Sequence, residues 1–286
     1  MTSNETTFRY VTVLTKDSIE ADNADVVDAN VTVVNEMYEE LLNHEEIATN
    51  ALRSYFVDYY LTQALAGGFA QYVFTVPERE EVDAFVREGL EGMGAKGHLE
   101  LFNRTAAAFD ALSEDDAEAY LDGDLDESEV APEAVAELEA LDGEFESLLE
   151  TEDIIELNAA WLRSQDGVLY LDEEQLKAHI AERVALIPNL EERQAEAAEA
   201  ELENAPEFEL IIRELCDVAG YQLEKITMGD PNYEHDGETI LAWHFATDHG
   251  NYIMIEEDDE AFMIHPETKE VIAAVEFEDA DEFEDA

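Results

Sequence analysis

The chain reads as an α+β protein: an all-α N-terminal helical domain followed by a small α+β domain with an antiparallel sheet. Three observations predict this. From Asp25 to about residue 188, apolar residues recur at spacings of three and four, the period of amphipathic helices. Past Pro206, short runs rich in β-branched and aromatic residues alternate with turn signals, the pattern of short strands. Between them, "LEERQAEAAEAELENAP" is dominated by Ala and Glu and offers little to bury, which suits a solvated helical connector. The organisation expected is an unassigned segment 1–24, a helical domain 25–188, a connector 189–204, an α+β domain 205–278 and an acidic tail 279–286.

Taken in order, the first helix carries Val27, Val31, Val34, Met37, Tyr38 and Leu41 on one stripe. A second, with Ala48, Leu52, Tyr55, Phe56 and Tyr59 inward, runs into Gly67-Gly68. Another helix restarts with Pro77 near its first turn, buries Val82, Phe85, Val86 and Leu90, and stops at Gly94. The next buries Leu99, Phe102, Ala106, Phe109 and Leu112. Ser113 is the cap of the succeeding segment, and 113–129 reads as an exposed acidic connection. Further helices are expected from near Pro132, near Gly143, at Thr151 and after Asp172, which caps the last, with Leu176, Ile180, Val184 and Ile187 inward; "VLYL" is the one strand suspected in this domain. In the second domain a helix buries Phe208, Ile211, Ile212, Leu215 and Val218 and ends at Gly220. Strands come next, separated by Gly229-Asp230-Pro231-Asn232, Asp236-Gly237, His249-Gly250-Asn251 and Pro266-Glu267.

Charge restricts the function classes. The 286 residues hold 74 Asp and Glu against 14 Lys and Arg, a formal net of −60. From Thr105 to Leu162 there are twenty acidic residues and no Lys, Arg or His. Direct binding of nucleic acid or an anionic membrane is strongly disfavoured by repulsion. Two readings compete. Acidic side chains suit a haloarchaeal-type protein in molar salt, where the Debye length is ~3 Å. Alternatively, rows of carboxylates imitate a phosphate backbone, with ~7 Å between neighbours as the sign. Either way, low salt should loosen the fold. The single cysteine, Cys216, allows no internal disulfide and reads as a small core residue in a cytoplasmic protein. No signal peptide and no membrane span is expected.

Candidate chemistry is sparse. Carboxylate pairs are too numerous to nominate a general acid and base. His235, His244, His249 and His265 lack the regular short spacing of a zinc site and would be an enzyme's residues only if a pocket gathered them. Alternation sets Leu241, Trp243 and Phe245 on one face of a half-exposed sheet and His244 on the other. No cofactor or metal is expected. Gly67-Gly68 could belong to a phosphate loop, but a helix precedes the pair, the glycines are adjacent and no Lys follows for twenty residues. A helix joint, anchored in the core by Phe69, Tyr72 and Phe74, accounts for the same residues.

The stretches "SYFVDYYLTQALAGGFAQYVF", "VDAFVREGLEGMGAKGHLELFNRTAAAF" and "IIELNAAWLRSQDG" together resemble the bacterial DNA-mimic protein family over roughly residues 45–166. That family carries an Asn-Gly-Gly-Phe-x-Gln-Tyr-Phe motif and a later Gly-Ala step. Gly67, Gly68, Phe69, Gln71 and Tyr72 match it here, as do Gly94 and Ala95; Ala66 replaces the Asn, and Val73-Phe74 the simple ending. The resemblance implies an all-helical, dimeric, non-enzymatic domain that binds a DNA-binding protein or transcription regulator. Its acidic surface would be Glu114, Asp115, Asp116, Glu118, Asp122, Asp124, Asp126, Glu127 and Glu129. The alternatives are a halophilic scaffold whose acidity is salt adaptation alone, and an enzyme using the C-terminal histidines.

Overall fold

The computed structural model describes residues 10–122, 133–235, 237–257 and 259–276. Packing divides the chain into two compact units, 1–190 and 191–286.

The first unit begins with a short strand, β1 (Val13–Thr15), and then α1 (Asn23–Glu39), whose N-terminus is capped by the Asp22 side chain accepting from the Asp25 N–H. Next come α2 (Thr49–Thr75), α3 (Glu80–Met93), α4 (Lys96–Asp110), α5 (Glu114–Asp122), α6 (Glu133–Leu149) and α7 (Ile154–Arg163). Strand β2 (Leu169–Leu171) pairs in parallel with β1, placing Val13 opposite Leu169. Helix α8 (Glu173–Val184) then starts at a capping box between Asp172 and Gln175. The main core collects Val34, Leu52, Tyr60, Tyr72, Leu90, Phe102 and Leu138 from α1, α2, α3, α4 and α6. A smaller core of Leu14, Val26, Val27, Ala159 and Leu162 joins β1, α1 and α7.

Several local expectations are corrected. Pro77 lies in the turn before α3, three residues ahead of its first helical residue. The helices expected from Pro132 and from Gly143 are one: α6 runs through Gly143 because Val135, Leu138, Leu141 and Phe145 form one buried stripe across it. The helix expected at Thr151 starts at Ile154, with Asp153 as its cap. Part of the acidic connection is helical: Ser113 Oγ caps α5 by accepting from the Asp116 N–H at 3.2 Å, and Tyr120 is buried. Phe74 is 70% exposed, because the turn's direction after the glycines points Phe69 and Tyr72 inward and Phe74 outward.

In the second unit, α9 (Leu190–Glu203, its first residue assigned to the first unit) has no buried residue. Helix α10 (Glu207–Ala219) ends at Gly220 in the left-handed conformation. A five-stranded antiparallel meander completes the unit: β3 (Leu223–His235), β4 (Glu238–Thr247), β5 (Gly250–Glu257), β6 (Glu260–Ile264) and β7 (Val271–Glu276), in that spatial order. Gly229-Asp230-Pro231-Asn232 makes no turn. It forms an irregularity inside β3, where the pairing register shifts between Asp230 and Tyr233; an edge strand tolerates the missing proline N–H there. Ile211, Ile212, Leu215 and Cys216 of α10 pack on one sheet face with Phe245, Tyr252, Met254 and Met263, while Phe208 stacks on Trp243 at 3.6 Å between ring centroids. Val218, expected inside, is 61% exposed, and Leu241 is 50% exposed. The opposite face is apolar too, with Ala242, Ile253, Ile255 and Ile264 buried beside Tyr233 and Phe262, so the sheet is not half-exposed.

Candidate acidic interface

The glycine pair is the geometric origin of the helical domain's site region. Gly67 and Gly68 leave the helical conformation inside α2, and Gly68 adopts φ 68°, ψ −165°, a region open essentially to glycine alone. The helix is thus broken into two halves, and the second half begins with backbone N–H groups that need partners. Asp142 of α6 supplies one: its Oδ1 accepts from the Phe69 N–H at 2.9 Å, and its Oδ2 accepts from the Tyr120 hydroxyl at 3.2 Å. A Cβ on Gly68 would lie 2.6 Å from Asp142 Oδ2, so the second glycine also makes room for the cap. Burial pushes the Asp142 carboxyl above its usual range, partly offset by the Phe69 and Tyr120 donors. Gln71 is half-buried and its Nε2 reaches Gln63 Oε1 at 3.4 Å across the joint. Gly94 and Ala95 are also structural. Gly94 caps α3 at φ 78°, its N–H bonding Glu91 and that of Ala95 bonding Leu90, with Ala95 and Leu90 both fully buried.

A second polar centre supports the motif from the other side. Asp83, 3% exposed, accepts from the Tyr72 hydroxyl at 2.7 Å and is paired with Arg79 and with Arg87, the latter at 3.2 Å. Arg79 also pairs with Asp110 and lies over the rings of Phe69 and Phe109 at 5.6 and 5.4 Å. Burial, then the Asp83 charge, push the Tyr72 phenol well above its usual range. Sequence reading missed Asp142, Asp83 and Arg79. The i, i+4 spacing of Arg79, Asp83 and Arg87 was a visible signal of a helical ion-pair ladder; nothing in the sequence connects Asp142 to Phe69.

The acidic surface sits on the elements this region anchors. Glu114, Asp115 and Glu118 of α5 are exposed, Asp116 is half-buried against Ser113, and Asp122 is the helix's last residue. Asp124, Asp126, Glu127 and Glu129 fall outside the described residues. On α6 the buried stripe turns Glu137, Glu139, Glu144 and Glu146 to solvent. Glu144 is held bidentately by Arg104 at 2.7 and 3.0 Å, just before the base-free stretch begins. The acid is not confined to this unit. Residues 1–190 carry 44 acidic and 10 basic residues, a net of −34; residues 191–286 carry 30 and 4, a net of −26 in half the length.

The structure does not bring the four C-terminal histidines together. His235 pairs with Glu257 at 3.2 Å, and His249 pairs with Asp248 at 2.9 Å while stacking on Tyr221. His265 Nδ1 accepts from the Glu267 and Thr268 N–H groups, and His244 lies edge-on to Tyr233. Among the described residues, no group of three or more His, Cys, Asp or Glu is arranged to hold a metal ion. A cleft of about 730 Å³ in the first unit, lined by Tyr10, His44, Asn50 and Gln165 among others, contains none of these four histidines. Cys216 is buried in the α10 core, and burial pushes its thiol up to about 11, away from the range of a reactive thiolate. No helix among the described residues is long and apolar enough to cross a membrane.

Residues 45–165 match the family model described as DMP19-like protein, a DNA-mimic family; the matched segment is somewhat less than half of the chain. It runs from the turn before α2 to the end of α7, so it contains the glycine joint, the Asp83 and Asp142 centres and the acidic helices α5 and α6. The sheet of the second unit lies outside it. No curated protein and no solved structure matches the chain.

Proposed function

We propose that this is a non-enzymatic interaction protein whose matched helical domain presents carboxylates in place of nucleic-acid phosphates to a basic, DNA-binding protein. The observation that carries the reading is the base-free stretch from Thr105 to Leu162 within the matched segment. On its described helices, the apolar residues turn inward and Glu114, Asp115, Glu118, Glu139 and Glu146 face solvent, in a stretch that holds no Lys, Arg or His. A positively charged groove evolved for phosphates meets such a surface with the same counterion release that drives DNA binding. The partner belongs to the class of DNA-binding regulators, and a dimer of this chain would double the carboxylate surface offered to it.

The test is capture of partners in molar salt followed by competition with duplex DNA. Displacement of the captured protein by DNA, and weaker capture after replacing Glu114, Asp115 and Glu118 with Gln or Asn, are expected. Partners indifferent to DNA would refute the mimicry.

A second reading is favoured by a specific observation: the second unit is more densely acidic than the matched one, although no DNA-mimic resemblance extends to it. Under this reading the acidity adapts a scaffold to high salt. It expects the amide substitutions to leave partner capture unchanged while altering only salt dependence.

A further inference from the structure

Three side chains deep in the first unit carry oxygens that no described residue satisfies. Asn30 of α1 and Ser54 of α2 have no exposed surface, and Asn158 of α7 is 2% exposed. The Asn30 Nδ2 donates to the Ala51 carbonyl at 2.9 Å, and the Asn158 Nδ2 donates to the Ser54 carbonyl at 3.3 Å. These bonds identify the nitrogen end of each amide, because only nitrogen donates to a carbonyl. The unpaired atoms are therefore Asn30 Oδ1, Asn158 Oδ1 and Ser54 Oγ. Ala51 and Ser54 are three residues apart, on one face of α2. Helices α1 and α7 pack on each other as well as on α2, so both amides meet α2 within a single turn of the same seam.

Buried polar atoms are almost always partnered, and three unpaired oxygens at one seam ask for a ligand that brings protons or positive charge. The only proton available among them is that of Ser54, which can serve one carbonyl oxygen and not two. The set holds neither nitrogen nor sulfur, which disfavours zinc and other transition metals. It holds no carboxylate, which disfavours calcium and magnesium. Asp58 lies one turn beyond Ser54 on α2 and is repelled by Asp28 of α1, so two carboxylates stand near this part of α2.

The geometry points to a bound monovalent cation, sodium or potassium, in the α1–α2–α7 seam, coordinated by Asn30 Oδ1, Ser54 Oγ and Asn158 Oδ1. A net charge of −60 raises the concentration of such ions around the protein. The site ties the domain's first, second and seventh helices to salt through a specific contact, separate from screening of the surface. It is independent of what the acidic surface binds.

Two experiments test it on the full chain. Crystals of the protein soaked in rubidium chloride are expected to show an anomalous peak between Asn30, Ser54 and Asn158; a water-sized feature with no anomalous signal overturns the proposal. Melting midpoints are then compared in sodium, potassium and tetramethylammonium chloride at equal ionic strength. Wild type is expected to melt higher in the small cations, and Ser54→Ala, which deletes one oxygen with little change of volume, is expected to narrow that difference by at least half. If Ser54→Ala lowers the midpoint equally in all three salts, surface screening explains the salt effect and the site is refuted.

Discussion

Asp142 and Phe69, 73 residues apart in sequence, are joined by one hydrogen bond of 2.9 Å from the Phe69 N–H to the Asp142 carboxylate. This bond turns the break at Gly68 into the start of a new helical segment. It makes α6 part of the motif that lies in α2, and so couples the acidic helix to the core aromatic residues Phe69 and Tyr72.

Gly68→Ala is expected to destabilise the protein by about 1–3 kcal/mol, because its φ of 68° and ψ of −165° are strained for any other residue. The added Cβ also collides with Asp142. Gly67→Ala is expected to lose about 1 kcal/mol or less: its φ of −165° is extended, and the Cβ meets only the half-buried Gln71 side chain. Urea denaturation at a fixed molar concentration of KCl measures both. Equal losses would contradict the assignment of the break to Gly68.

The Asp83 centre gives a graded pair. Tyr72→Phe removes one donor to a buried carboxylate that keeps its two arginines, for an expected loss of about 1–2 kcal/mol. Arg79→Met leaves the buried Asp83 charge with Arg87 alone and also strips Asp110 of its partner, for about 3–5 kcal/mol. The same urea series ranks them, and a larger loss for Tyr72→Phe would show that the phenol is the main support of this centre.

The legibility of the sequence divides along the range of the interactions. Helix periods, the Gly94 and Gly220 stops, the Asp172 cap and the antiparallel sheet are properties of neighbouring residues, and all were readable. Element boundaries inside acidic stretches were not, because the deciding residue in α5 is one buried tyrosine, Tyr120, among carboxylates. Gly229-Asp230-Pro231-Asn232 carries turn residues in every position, yet pairing of β3 with β4 on both sides of it holds the strand together and absorbs it as a register shift. Phe74 and Val218 have the right residue type for a core and the wrong rotational position. Asp142 is one of twenty acids in a stretch without bases; only the tertiary approach of α6 to the glycine joint distinguishes it from the others.

Asp58 is a stability probe with a defined pH window. Burial, then repulsion from Asp28, raise its carboxyl from 3.8 to about 6. A raised carboxyl means that the fold favours the neutral form. The stability it contributes is complete below about pH 4 and is lost as the pH climbs through about 6. Asp58→Asn imitates the neutral form. At pH 8 it is expected to stabilise the protein by about 1–2 kcal/mol, after a discount for screening in concentrated salt. The gain should close toward pH 4, and urea midpoints at the two pH values measure it. A gain that is the same at both would place its origin in packing, not ionisation.

Salt should separate the two units. Lowering KCl from about 1 M to 0.1 M lengthens the Debye length from about 3 to 10 Å, so carboxylates that ignored one another begin to repel. The second unit carries −26 over 96 residues and the first −34 over 190, while the second has a core of one helix and five strands against the many-helix core of the first. The unit with more charge per residue and the smaller core is expected to open first. Amide hydrogen exchange followed across a KCl series should show β3–β7 losing protection at a higher salt concentration than α2, α4 and α6. Simultaneous loss in both units would show that they unfold as one cooperative body. Loss in the helices first would show that charge per residue and core size do not set the order of opening.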